Sequence, residues 1–190
     1  MNPRRLKLSA IVSAIALSGL VLLAWTQPWF TLRLQTGQVL TIAGDVAAPA
    51  LTALALAGLA LAGALAIAGV VFRVILGVLQ AAIGALVITS AAIALGDPVA
   101  ASARAISAAT GVAGAESLAD LVSATQSTAW PLLTLLFGVL LTVLGIAIAL
   151  TARSWPASSR KYQAVRLEEA DGEHTPAGDW DALSDGRDPT

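Results

Sequence analysis

The chain has 190 residues, of which 57% are apolar and only 12% are charged, and its formal net charge is −1. Soluble domains carry about 25% charged residues, so this composition excludes an ordinary soluble protein and indicates that lipid surrounds most of the chain. The absence of cysteine excludes disulfides, thiolate nucleophiles and iron–sulfur clusters.

The first apolar segment covers residues 8–25 and follows a short basic head. A cleaved signal peptide is the alternative to a membrane span. However, the segment is longer than the usual signal-peptide core of about 7–15 residues, and no small-residue cleavage site follows it. We therefore favour an uncleaved span. Trp25 and Trp29 lie on either side of Pro28 at its end and are expected to anchor the chain at the membrane–water boundary.

An external loop over residues 26–46 follows this span, and its pattern changes to the period of a strand. Phe30, Leu32 and Leu34 alternate with polar residues, and a Thr36-Gly37 turn leads into a second apolar run. This alternation predicts a small β-hairpin on the outer surface of the membrane. Asp45 is predicted to be the N-cap of the next span.

The 50 residues 46–95 carry a single charge, Arg73. One helix of that length would extend about 75 Å, whereas the hydrocarbon core needs only about 20 residues. We therefore predict two spans, over residues 47–70 and 74–95, with a sharp reversal between Gly69 and Arg73. At a turn, the Arg73 side chain is expected to reach water and to fix the topology; an intramembrane ion pair is the alternative.

Small residues recur on the faces of these two spans, which favours close contact between helix backbones. Gly58 and Ala62 form such a pair in the second span, and Gly77 and Gly84 lie near one face of the third. Gln80, on that same face, is the only amide in any span. It is predicted to make a hydrogen bond across the bundle, with contact to a substrate as the alternative.

A second external loop, residues 96–130, precedes the last span at residues 131–151. Asp97-Pro98 predicts a short helix over residues 98–109, and a second helix is expected over residues 116–126. The charged residues of this loop are sparse and indicate a solvated face rather than a catalytic site. In the last span, Thr134, Gly138 and Thr142 recur every four residues and predict another helix-packing seam.

These segments predict an all-α, four-helix membrane domain over residues 1–152 and a basic-then-acidic tail over residues 153–190. The acidic part of the tail has eight carboxylates after residue 167 and is expected to be disordered. Trp180 and Leu183 are its apolar exceptions and form a candidate docking motif.

Four spans place both termini on the same side of the membrane. Nine of the eleven Lys and Arg residues then lie on that side, and only Arg33 and Arg104 lie on the other. This asymmetry favours a multi-pass protein of the cell membrane with both termini in the cytoplasm.

The sequence has no phosphate-binding loop, no dinucleotide fingerprint and no HExxH zinc motif. Its single histidine, His174, lies in the acidic tail. We therefore expect no catalytic residue, metal or cofactor and no nucleic-acid partner. The expected surroundings are the lipid bilayer and a membrane-protein partner or a second copy of the chain.

Three segments resemble the actinobacterial tryptophan-associated transmembrane protein family. They are Trp25-Thr26-Gln27-Pro28-Trp29, the segment from Trp155-Pro156 to Ser158-Ser159-Arg160-Lys161-Tyr162, and Trp180-Asp181-Ala182-Leu183 with the closing Asp185-Gly186 and Asp188-Pro189-Thr190. The resemblance implies an association with tryptophan biosynthesis, without a known reaction or catalytic residues. Two hypotheses follow: a non-enzymatic accessory protein, or a subunit of a transporter for tryptophan or a related aromatic metabolite.

Overall fold

The computed structural model describes residues 3–155, and four of its helices are long and apolar enough to cross a membrane. They are α1 (Pro3–Thr26), α3 (Ala50–Ile67), α4 (Val70–Gly96) and α8 (Trp130–Thr151). Their outward faces carry exposed apolar side chains such as Phe72, Leu132 and Leu150. This arrangement suits lipid as the surrounding solvent and confirms the prediction of a four-helix membrane protein.

The chain reverses between α3 and α4 within two residues, Ala68 and Gly69, whose backbones are both extended. The reversal precedes Arg73, which lies in the first turn of α4 rather than in the connection. Compared with the predicted spans 47–70 and 74–95, α3 is shorter at both ends and α4 is longer at both ends. With 27 residues, about 40 Å, α4 is the longest of the four spans.

The predicted role of Asp45 as N-cap of the second span is wrong. Asp45 belongs to a separate turn, α2 (Gly44–Ala47), where its Oδ1 accepts a hydrogen bond from the Val46 N–H at 2.8 Å. The helical path breaks at Ala48 because Pro49 disfavours a helical conformation in the residue before it. The long helix α3 then begins at Ala50.

The predicted hairpin is present, with β1 (Pro28–Leu34) antiparallel to β2 (Val39–Ala43) and Gly37 at positive φ in the turn. A third strand, β3 (Val122–Ser127), pairs with the other edge of β1, which gives the order β2-β1-β3. The predicted helix over residues 116–126 is therefore wrong in its second half. The open edge of β1 offers backbone hydrogen bonds that outweigh the helical pattern of this segment.

The remaining short helices lie in the second loop. They are α5 (Pro98–Ala101), α6 (Ala103–Thr110) and α7 (Ala115–Leu121). The helix predicted over residues 98–109 is thus divided at Ser102, and Gly111, in the left-handed conformation, ends its second part. A 3₁₀ turn over Ala152–Ser154 follows α8.

The sheet and the short helices α5 to α7 form one layer, which we call the cap, at one end of the four long helices. Its core contains Phe30, Leu32 and Ile106, and it continues into the bundle through Leu51 and Val87. The opposite end of the helices, which we call the base, has a smaller apolar cluster around Trp155. The cap and the bundle therefore share one continuous core.

Candidate functional site

The most extensive helix pair is α4 with α8, and glycines make its close approach feasible. A Cβ added at Gly84 would lie 2.5 Å from the Thr142 backbone N and 2.8 Å from the Gly138 O. A Cβ added at Gly77 would lie 2.7 Å from the Ala149 N. These distances are below ordinary van der Waals contact, so the two backbones touch directly along the helices.

The facing helix contributes glycines at matching levels. A Cβ at Gly138 would lie 2.8 Å from the Ile88 side chain and 3.0 Å from the Ile88 N, and one at Gly145 would overlap the Ala81 N. Gly77 and Gly145 meet at one level, and Gly84 and Gly138 meet at the other. We call these four residues the glycine seam. The sequence interpretation included three of them and missed Gly145, whose spacing of seven from Gly138 was the available signal.

The hydroxyl groups of the α8 threonines are not free to line a transport pathway. Thr134 is fully buried, and its hydroxyl donates to the Trp130 carbonyl at 2.9 Å. The Thr142 hydroxyl donates to the Gly138 carbonyl, also at 2.9 Å. Because each hydroxyl is bonded within its own helix, these residues serve packing rather than a polar lining.

A small polar cluster lies where α1, α3 and α4 meet. Gln80 and Ser18 are buried, and within residues 3–155 neither the Gln80 Nε2 nor the Ser18 Oγ has a hydrogen-bond partner. A Cβ at Gly58 would lie 2.5 Å from that Ser18 hydroxyl and 3.6 Å from the Gln80 Nε2. Ala62 is buried one turn further along α3. The prediction that the Gln80 amide makes a hydrogen bond across the bundle is therefore wrong for the amide nitrogen, Nε2.

Arg73 lies inside the protein, so the prediction that it reaches water is wrong. Its side chain is fully buried at the base, where Nε donates to the Ala68 carbonyl at 3.0 Å and Nη1 donates to the Trp155 carbonyl at 3.5 Å. The guanidinium carbon lies 5.7 Å from the centroid of the Trp155 ring, which is a cation–π geometry. Arg73 thereby ties the end of α3 to the segment that follows α8.

Lys7 supports the same end of α3. Its Nζ donates to the Ala66 carbonyl at 2.7 Å. The last carbonyl groups of a helix have no partner within the helix and carry partial negative charge. Lys7 and Arg73 therefore stabilise the C-terminal end of α3 from two neighbouring elements.

The two tryptophans at the end of α1 form the joint between the bundle and the cap. Trp29 is fully buried rather than placed at a lipid boundary, and its Nε1 donates to the Ala24 carbonyl at 2.8 Å. A β-bulge between Pro28 and Phe30 accompanies this inward position. Trp25 is half-buried, and Gly44 lies close to both tryptophans, since a Cβ there would lie 2.7 Å from the Trp25 O.

A pocket with a volume of about 370 Å³ lies between α5, α6 and α7 in the cap. Asp97 and Arg104 are its charged residues, and Val99 and Leu118 are its large apolar ones. The sequence interpretation treated these charges as a solvated face and missed the pocket.

The described residues include no cluster of His, Asp and Glu that could hold a metal ion. Trp180 and Leu183, the candidate docking motif, lie outside the described residues.

The sequence profile of the tryptophan-associated transmembrane proteins matches residues 11–190, which is nearly the whole chain. The chain belongs to this family. The family's description agrees with the four apolar helices and associates the chain with tryptophan. Searches of curated proteins and of solved structures found no significant match.

Proposed function

We propose that this member of the family is a non-enzymatic accessory protein of tryptophan handling in the cell membrane. In this proposal the bundle is a rigid support, and the cap and the tail contact a partner. The glycine seam is the observation that supports the rigid bundle, because direct backbone contact between α4 and α8 leaves no space between these two helices for a ligand pathway. No Asp, Glu or His occurs in the four long helices, and such residues usually carry proton relays and ion coupling.

The proposed orientation places the base and both termini in the cytoplasm and the cap outside. Arg73 and Lys7 lie at the base, where they bind carbonyls at the end of α3, and this agrees with the excess of basic residues predicted for that side. Because the chain has no cysteine, single cysteines can report the orientation without background.

Labelling of whole cells with a membrane-impermeant maleimide tests the orientation. Ser123→Cys, at an exposed position of β3, is expected to react in intact cells. Ser159→Cys, which follows the last span, is expected to react only after the membrane is permeabilised. The reverse pattern, or labelling of both variants in intact cells, would contradict the proposed orientation.

Photo-crosslinking in native membranes tests the accessory role. A photoreactive residue at Ala124, exposed on β3, is expected to yield a defined adduct. The matched control is the same residue at Val143, exposed on the apolar outer face of α8. An adduct of twice the mass of the chain would indicate a homo-oligomer, and a heavier or lighter one a different partner. Recovery of free monomer alone with the probe at Ala124 would count against the role.

A transporter subunit is the second candidate, and the polar cluster of Gln80 and Ser18 is the observation that favours it. Their unpartnered groups lie in the bundle interior, where a passing polar molecule would find hydrogen-bonding partners. Uptake and efflux of labelled tryptophan would be compared between a deletion strain, the complemented strain and a Gln80→Leu strain. Unchanged rates in the deletion strain would remove this candidate.

A further inference from the structure

The cap pocket combines a small volume with two opposite charges. Its volume of about 370 Å³ is at the lower end of the range of about 300–1,000 Å³ that is typical of small-molecule sites. A space of this size suits one small metabolite rather than a peptide. Ser107 and several alanine and glycine residues complete the wall between the charged residues and the larger apolar ones.

The carboxylate of Asp97 is held in place by the local fold. Asp97 is the N-cap of α5, and its Oδ1 accepts a hydrogen bond from the Ala100 N–H at 2.9 Å. No hydrogen bond or ion pair with another residue of the described part of the chain occupies Oδ2. One oxygen therefore fixes the carboxylate, and the other is available to a cation.

Arg104 lies on the next helix, α6, and lines the same pocket. Within residues 3–155 its guanidinium makes no hydrogen bond, and it forms no ion pair with Asp97. The two opposite charges therefore line one pocket without forming an ion pair with each other. A guanidinium is well suited to bind a carboxylate through two parallel hydrogen bonds.

The third part of the pocket is apolar. Leu118 of α7 is buried and Val99 of α5 is half-buried, so both present packed hydrocarbon rather than mobile surface. A ligand that fits all three parts has an ammonium group, a carboxylate and an apolar side chain. Nucleotides and inorganic anions fit poorly, because Asp97 would repel them.

We propose that this pocket binds a free α-amino acid with an apolar or aromatic side chain. Asp97 receives the ammonium group, Arg104 receives the carboxylate, and Leu118 and Val99 contact the side chain. The site goes beyond the accessory role, because it makes the cap a receptor for a small molecule whether or not a partner is bound.

Calorimetric titration of the purified full chain in lipid nanodiscs tests the proposal. The ligands are L-tryptophan, tryptamine, which lacks the carboxylate, and indole-3-propionate, which lacks the ammonium group. We expect tryptophan to bind about tenfold more tightly than either analogue, since each analogue lacks one of the two charged groups that the pocket residues receive.

Two variants assign the charges. Arg104→Gln is expected to weaken tryptophan about tenfold and to leave tryptamine unchanged. Asp97→Asn retains an N-cap residue; it is expected to weaken tryptophan similarly and to leave indole-3-propionate unchanged. Arg33→Gln, at an exposed residue of β1 outside the pocket, is the matched control and is expected to bind like the parent chain.

The proposal is overturned if the parent chain binds no apolar or aromatic amino acid at millimolar concentration, with L-leucine and L-phenylalanine included. It is also overturned if the analogues bind as well as tryptophan, or if Arg33→Gln weakens binding as much as the pocket variants. The thermal unfolding temperature of each variant is the control for folding. If a variant unfolds at the same temperature as the parent chain, its loss of binding is not caused by a loss of fold. Crosslinking at Ala124 reports separately on the accessory role, so the two proposals can fail independently.

Discussion

Replacing one glycine of the seam is the sharpest test of the packing between α4 and α8. In Gly84→Ala, the new methyl group would lie 2.5 Å from the backbone N and the hydroxyl of Thr142 and 2.8 Å from the Gly138 carbonyl. To restore a contact of about 3.5 Å, the helices must separate locally by up to about 1 Å. Two of these three atoms belong to the backbone, so a side-chain rotation cannot relieve the overlap.

The expected cost of Gly84→Ala is about 1–3 kcal/mol, the usual range for overpacking of a tight core. Gly63→Ala on α3 is the matched control, since a Cβ there meets no atom within 4 Å. In this control, the higher helix propensity of alanine acts alone, so the variant is expected to be neutral or more stable by up to about 1 kcal/mol. The two variants add the same methyl group and differ only in what surrounds it.

Unfolding of the purified protein by a denaturing detergent in mixed micelles, followed by circular dichroism, measures the difference. The expected order of stability is Gly63→Ala, parent and then Gly84→Ala, and Gly145→Ala is expected to resemble Gly84→Ala. If Gly84→Ala and Gly145→Ala are as stable as Gly63→Ala, the direct backbone contact in the seam is refuted.

Three further substitutions probe buried polar groups with the same unfolding assay. Arg73→Gln is expected to destabilise the protein by about 1.5–3 kcal/mol, because the Ala68 and Trp155 carbonyls lose a charged donor; parent stability would contradict this role at the base. Gln80→Leu is expected to stabilise the protein by about 1 kcal/mol, because it removes a buried amide nitrogen without a partner; a clear loss of stability would show that the amide is paired. Trp29→Phe is expected to cost about 1–3 kcal/mol, because the Ala24 carbonyl keeps only the Gln27 N–H as donor and the smaller ring leaves a void; an unchanged midpoint would refute the joint between α1 and the cap.

The structure divides the chain into a tightly packed support and a cap with a chemically distinct pocket. The glycine seam and the clamp at Arg73 fix the helices at the middle and at the base. The joint at Trp29 connects α1 to the sheet. A rigid support is useful for the proposed functions, because a binding cap needs a fixed position relative to the membrane.

The sequence by itself determined the four spans and the β1–β2 hairpin. Both depend on patterns that are read over neighbouring residues: the apolar length that lipid demands, and the alternation of a strand with one buried face. The small-residue spacing also indicated Gly77, Gly84 and Gly138 as packing positions, because residues on one helix face recur every three to four positions.

Only the tertiary structure decided the features whose partners are distant in the chain. β3 is a strand because β1, about ninety residues earlier, offers an open edge, and the local pattern of residues 116–126 gave no sign of it. Arg73 is buried because Trp155 covers it from beyond α8, and the cap pocket exists because three short helices converge. A local pattern fixes how a segment satisfies its own backbone and its solvent, whereas burial and convergence depend on which remote segment packs beside it.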